Sequence, residues 1–210
     1  MPPLFGVFPY HPIAGRGIAP ANGHGPPKKR REQTPTLRFS MIEVCSMHGL
    51  TKREFKITDP EQIVHILDTG KVLHLGLAVN DEPYVVPMNY GYVLEDGKLV
   101  LYLHSAVRGR KLDMIRANPK VFFTVDCDLQ PFEGRVACQY GLSYSSVAGR
   151  GEARIVEDVE EKKKAMSVLM KTQTGRDFSF DDRLVSIVAV IRIDVEEYTA
   201  KHRPIPEAMR

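Results

Sequence analysis

Between residues 72 and 104 the chain holds three strand-like runs separated by two tight-turn signals, and this alternation commits it to antiparallel β structure. Val72–Val79 is apolar and ends at Asn80-Asp81-Glu82-Pro83. Tyr84–Val93 ends at Glu95-Asp96-Gly97, and an Asp-Gly pair between apolar runs is a hairpin signal. In Lys98–His104, Leu99, Leu101 and Leu103 share one face while Val100 and Tyr102 share the other, the two-residue period of a strand. Successive strands joined by hairpins pair antiparallel.

Three further strands are predicted. They are Val121–Val125, then Tyr144–Val156 with a bulge or bend at Gly149 and Gly151, then Val185–Val195, whose nearly continuous apolar character suits a central strand. Helices are predicted between them. Asp59 is suited to cap one that begins at Pro60, buries Ile63, Ile66 and Leu67, and stops at Gly70. A short helix over 109–117 ends before Asn118-Pro119, and another over 160–171 turns Ala165, Val168 and Leu169 inward. The expected fold is mainly β in the α+β class. It is a six-stranded antiparallel barrel with short flanking helices, since six strands with little between them favour closure over an open sheet.

Residues 1–37 stand apart, with eight of the 15 prolines, five glycines and the run Lys28-Lys29-Arg30-Arg31. That composition buries too little apolar surface to offset ordering entropy, so 1–37 is expected to be a disordered basic tail and 38–210 one folded domain. Met41 and Met47 are alternative starts, just ahead of the ordered-looking sequence. Residues 1–40 carry six basic side chains (Arg16, Lys28, Lys29, Arg30, Arg31 and Arg38) against Glu32 alone. With a total of +3, this leaves the remainder slightly acidic, which argues against nucleic-acid binding by the folded part. No run approaches the length of a membrane span, and the first 20 residues lack the apolar core of a secretory signal. Cys45, Cys127 and Cys138 are odd in number and show no CxxC spacing, which suits reduced thiols in the cytoplasm; Cys127 and Cys138 could in principle pair. The missing CxxC pattern and the scattered histidines argue against a metal site.

The richest stretch for chemistry is Leu101 to Asp113. A strand ends at His104, a polar loop from Ser105 to Gly109 follows, and the next helix carries Arg110 and Lys111 in its first turn. A helix N-terminus offers free N–H groups and partial positive charge, to which two cations add directed donors. The turn is either a phosphate cradle or a solvated basic turn. His104 either faces a ligand or satisfies a barrel edge. Pro87, within Val86-Pro87-Met88-Asn89-Tyr90, marks either a bulge or edge where backbone groups are free to meet a planar heterocycle, or an ordinary barrel corner. Tyr144-Ser145-Ser146-Val147 places two hydroxyls on a strand.

Together, in this order and spacing, these segments resemble the FMN-binding split-barrel family of pyridoxamine 5'-phosphate oxidase proteins, and more narrowly its branch of 5-nitroimidazole antibiotic resistance proteins. Asn118-Pro119 and the closing Ile193–Lys201 segment add to the likeness, which runs from about Met47 to His202. The resemblance implies an FMN-dependent oxidoreductase, nitroimidazole-reductase-like, that acts on a small molecule as a homodimer with FMN at the subunit interface. It implies that His104 lies beside the flavin as proton donor or substrate anchor, that Ser105, Gly109, Arg110 and Lys111 hold the phosphate end, that Pro87, Met88, Asn89 and Tyr90 follow the ring, and that Ser145 and Ser146 lie near the ribityl-phosphate end. Ser145 stands where an arginine is common in the family, and Ala200 where a glycine is common. Two alternatives fit the same segments. One is a strict pyridoxamine 5'-phosphate oxidase, though no second basic cluster offers a site for the substrate's phosphate. The other is a non-catalytic flavin or haem module with His104 as an axial ligand.

Overall fold

A computed structural model describes residues 53–207. The expected tail over 1–37 and the alternative starts at Met41 and Met47 lie outside the described residues. Eight strands form one sheet: β1 (Lys56–Ile57), β2 (Leu73–Val79), β3 (Glu82–Met88), β4 (Tyr90–Glu95), β5 (Lys98–Ser105), β6 (Lys120–Phe132), β7 (Gly141–Val156) and β8 (Ala189–Arg203). Four helices accompany them: α1 (Pro60–Thr69), α2 (Arg110–Ala117), α3 (Val159–Thr174) and α4 (Asp182–Ser186). The strand order is β3-β2-β6-β7-β8-β5-β4, with β1 beside β8, and every pairing is antiparallel. The antiparallel, mainly β class and the short helices are as expected. The count is eight strands rather than six, and the ladder is not closed, because its end strands β3 and β4 do not pair. An open seam of this kind is consistent with a split barrel.

The additional strands have local causes. Tyr84–Val93 is two strands, not one. The chain breaks at Asn89, whose side-chain amide donates to the Lys71 carbonyl at 3.0 Å and to Gln173 Oε1 at 3.2 Å, replacing ladder bonds as the chain passes from the partner of β2 to the partner of β5. The other addition, β1, is only two residues long. Val185 lies in α4, capped by Asp181, and β8 begins at Ala189; a short apolar run does not by itself distinguish helix from strand. β6 extends past Val125 through a bulge between Cys127 and Gln130, where Asp128 has φ 55°. The predicted turns hold: Asn80 and Asp81 close β2 on β3, and Asp96 and Gly97 close β4 on β5, all four with positive φ. Asp59 caps α1 by accepting from the Glu61 N–H at 3.1 Å.

The main core fills the inner face of the sheet, with Leu73, Leu75, Leu99, Leu101, Leu103, Phe123, Val125, Ile191 and Ile193 almost fully buried and Ile66 and Leu67 of α1 packed against them. A second cluster covers the other face of β5 and β8, where Tyr102, Val156 and Val190 meet Ala165 and Met166 of α3 and Val185 of α4. The start of β8, Ala189–Ile193, is therefore central and covered on both faces within one chain, which accounts for the apolar residues there. α3 sits close on β4 because Gly91 has no side chain: a Cβ there would lie 2.4 Å from Leu169 Cα. Gln173 Nε2 donates to the Tyr90 carbonyl at 2.7 Å and fixes the end of that helix.

Candidate cofactor site

β5 carries the chain to His104 at a rim of the barrel. Leu101 and Leu103 point into the main core, while Tyr102 and His104 alternate to the other face, Tyr102 under α3 and His104 beyond it. His104 is half-buried, and its Nδ1 is buried with no hydrogen-bond partner among the described residues. A buried ring nitrogen without a partner is uncommon in a folded protein. Tyr90 pairs with Leu103, so one further step along the two strands brings Asn89 level with His104.

The loop then leads to Gly109, which caps α2 with φ 146°, a value open to glycine, and Ser105 Oγ donates locally to the Ala106 carbonyl at 2.9 Å. Arg110 and Lys111 occupy the first turn of α2 as expected. They differ in what they touch. Arg110 Nη2 donates to Glu82 Oε1 at 2.6 Å, and its guanidinium lies 4.8 Å from the centre of the Tyr84 ring. Lys111 is half-buried and has neither an ion pair nor a hydrogen bond among the described residues. Glu82 and Tyr84 open β3, and Pro87 and Met88 close it. The Arg110–Glu82 bond ties the start of β3 to the first turn of α2. The Glu82 and Tyr84 contacts were not legible in sequence, since only the β2–β3 hairpin brings them to α2.

The other predicted residues divide. Pro87 is exposed on the edge strand β3, as a strand proline requires. Asn89 is spent on Lys71 and Gln173. Met88 and Tyr90 are core side chains; the Tyr90 hydroxyl donates to the Leu67 carbonyl at 2.7 Å, and burial keeps it protonated far above the usual phenol range. Ser145 is buried on the inner face, its Oγ 3.0 Å from His202 Nδ1, in a cavity of about 240 Å³ under α1 that His65 and Asp128 also line. Ser146 is buried on the opposite side of β7. In the register, His104 pairs with Val190 and Val190 with Val156, whereas Ser146 pairs with Lys201. Ten residues of β7, about 33 Å of strand, separate the two groups. One chain gathers Asn89, His104, Gly109, Arg110 and Lys111 and leaves Ser145 and Ser146 at the other end of the sheet. Cys127 and Cys138 are free thiols, Cys127 buried and Cys138 exposed. Among the described residues no helix is long and apolar enough to cross a membrane.

A sequence model of the family described as pyridoxamine 5'-phosphate oxidase matches residues 59–202. The chain belongs to this family. Among solved structures, a candidate 5-nitroimidazole antibiotic resistance protein from Bacteroides thetaiotaomicron is similar, with 32% identity over 70% of this chain and 86% of that one and a TM-score of 0.59. The flavocytochrome Anf3 from Azotobacter vinelandii shares 21% identity over 77% of this chain and 75% of its own, at a TM-score of 0.61. A protein from Mycobacterium smegmatis that binds FAD and haem shares 15% over 72% and 75%, also at 0.61. The last two are likenesses of fold. No curated protein matches the chain.

Proposed function

We propose that this member of the family is an FMN-dependent oxidoreductase that reduces a small molecule, in the manner of a nitroimidazole reductase, as a homodimer with FMN at the subunit interface. The observation that carries the reading is the buried, partnerless Nδ1 of His104 on a segment that continues into the cationic first turn of α2. The donor set fits the cofactor. Lys111, the N–H groups of the α2 N-terminus and Arg110 would hold a phosphate, while backbone groups near Met88 and Asn89 would meet the ring. When bound, FMN supplies the redox chemistry, and the protein positions it and tunes its charge. His104 would hold or deliver a proton, a task an imidazole can perform. The 5-nitroimidazole resistance protein at 32% identity supports this substrate class over a strict pyridoxamine 5'-phosphate oxidase.

Two features support the dimer. Ser145 and Ser146 lie about 33 Å of strand from His104, so a site that uses both groups takes them from two chains. In addition, Val85, Gly76 and Phe122 form a cross-strand row on the face of β3, β2 and β6 away from the core, with Val85 63% and Phe122 57% exposed. Apolar side chains grouped in this way suit a second copy of the chain. The test is reconstitution of full-length protein with FMN and with FAD, followed by turnover of a nitroimidazole by wild type and by His104→Ala. The expected result is a dimer that prefers FMN and a folded, FMN-loaded variant slower by about 10²–10⁴-fold. Near-normal turnover by that variant would remove His104 from the chemistry, and a flavin-loaded monomer would remove the shared site.

A further inference from the structure

Far from His104, the fold assembles a cluster of donor atoms that spacing along the chain conceals. His65 stands on α1, whereas Cys127 and Asp128 stand on the bulge of β6. In a regular strand two successive side chains face opposite ways. Here the bulge and the positive φ of Asp128 turn both toward α1. His65 Nε2 lies 3.2 Å from Asp128 Oδ2, Cys127 Sγ lies 3.3 Å from the same oxygen, and all three donor atoms lie within 4.8 Å of one another. A tetrahedral zinc ion with bonds of about 2.0–2.3 Å requires donors about 3.3–3.8 Å apart. Two of the three separations, 3.2 and 3.3 Å, lie at or within about 0.1 Å of the lower end of that range, and rotation of the exposed His65 side chain brings the third toward it. Imidazole nitrogen, thiolate sulfur and carboxylate oxygen together suit a borderline-soft divalent cation. His65 and Asp128 open onto the 240 Å³ cavity that Ser145 and His202 also line, so a fourth coordination position is accessible.

We propose that His65 Nε2, Cys127 Sγ and the Asp128 carboxylate form a binding site for a zinc-type divalent cation, with its fourth position open to that cavity. On binding, the Cys127 S–H bond breaks, its proton goes to solvent, and the sulfur–metal bond replaces the hydrogen bond to Asp128. No electrons move. The three ligands share no residue with the His104–Lys111 segment, and the cavity beside them is lined by Ser145, so cobalt and zinc binding is read on flavin-free protein.

Cobalt chloride added to the full chain, read as a difference spectrum against the metal-free protein, tests this. One equivalent is expected to produce a thiolate-to-cobalt charge-transfer band together with the intense visible bands of tetrahedral cobalt, and zinc should abolish both. In zinc calorimetry, His65→Ala, Asp128→Asn and Cys127→Ser should each weaken binding by about 100-fold or more, because loss of a ligand costs at least as much as loss of an outer-shell partner. Cys138→Ser should bind like wild type. His65 is exposed, so its variant keeps the fold and remains informative if the change at buried Cys127 perturbs packing. Absence of the charge-transfer band in wild type, or its persistence in a folded Cys127→Ser protein, would overturn the site and leave a hydrogen-bonded cluster only.

Discussion

Gly91→Ala is expected to be among the most damaging single-methyl additions to this chain. The new Cβ would lie 2.4 Å from Leu169 Cα, 2.5 Å from Leu169 N and 2.8 Å from the Val168 carbonyl carbon. Ordinary carbon contacts fall at about 3.5–4.0 Å, so α3 must retreat from β4 by about 1 Å or more. All three atoms are backbone, and no rotamer change relieves the clash. The retreat would stretch the 2.7 Å bond from Gln173 to the Tyr90 carbonyl and the 3.4 Å bond from the Tyr92 N–H to Thr172 Oγ1. Overpacking costs about 1–3 kcal/mol and a lost hydrogen bond about 0.5–1.5 kcal/mol. The sum, about 1.5–4.5 kcal/mol, lowers Tm by about 3–18 °C for a domain of this size. Thermal unfolding of wild type and Gly91→Ala under identical conditions reads this directly. A Tm change under about 1 °C would refute the argument that Gly91 sets the distance between helix and sheet.

Four further outcomes follow from the geometry. Lys111→Ala should weaken FMN binding by about tenfold or more, as loss of a charge-assisted bond costs about 1.5–3 kcal/mol, whereas Glu82→Gln, which frees the exposed Arg110, should change stability by less than about 1 kcal/mol; calorimetry and denaturant titration check the two. Burial and the hydrogen bond to Asp128 push the Cys127 thiol up to about 12, so alkylation of native protein near pH 8 should label the exposed Cys138 and spare Cys127, as read by peptide mapping. Glu161 is held below the usual carboxylate range: burial raises its pKa, and the hydrogen bonds from Arg154 at 2.6 Å and Arg192 at 3.2 Å more than offset that. A carboxylate whose folded-state pKa is depressed contributes stability above its unfolded pKa, about 4.3, and loses it as pH falls through the folded value. Wild type should therefore exceed Glu161→Gln in stability at pH 7, with the gap closing below about pH 4; a gap independent of pH would contradict the assignment.

The parts of this protein legible in sequence were those written in contiguous residues. The two hairpins carry their turn chemistry at Asn80-Asp81 and Asp96-Gly97, and α1 carries its cap at Asp59. The segment from His104 to Lys111 could be read because strand end, loop and helix start follow one another within eight residues. The misreadings arose where tertiary context decides. Val185 looks the same in a buried helix as in a buried strand, and Tyr84–Val93 breaks at Asn89 because of partners at Lys71 and Gln173, 18 and 84 residues away. The Arg110–Glu82 pair and the gathering of His65, Cys127 and Asp128 depend on register and on a bulge, neither of which leaves a periodic signal in one sequence.

The hairpin that starts β3 also determines how this sheet can grow. Its two-residue turn closes on the Val79–Glu82 pair, whose backbone groups bond each other, so the nitrogens of residues 83, 85 and 87 point away from β2. Two of those three positions are proline, which leaves Val85 as the sole outward N–H donor among them. A foreign strand laid along β3 would find outward carbonyls but a single N–H donor, which weakens strand addition at this exposed edge. Another molecule can approach this margin through the side chains of Val85 and Phe122 more readily than it can lengthen the sheet.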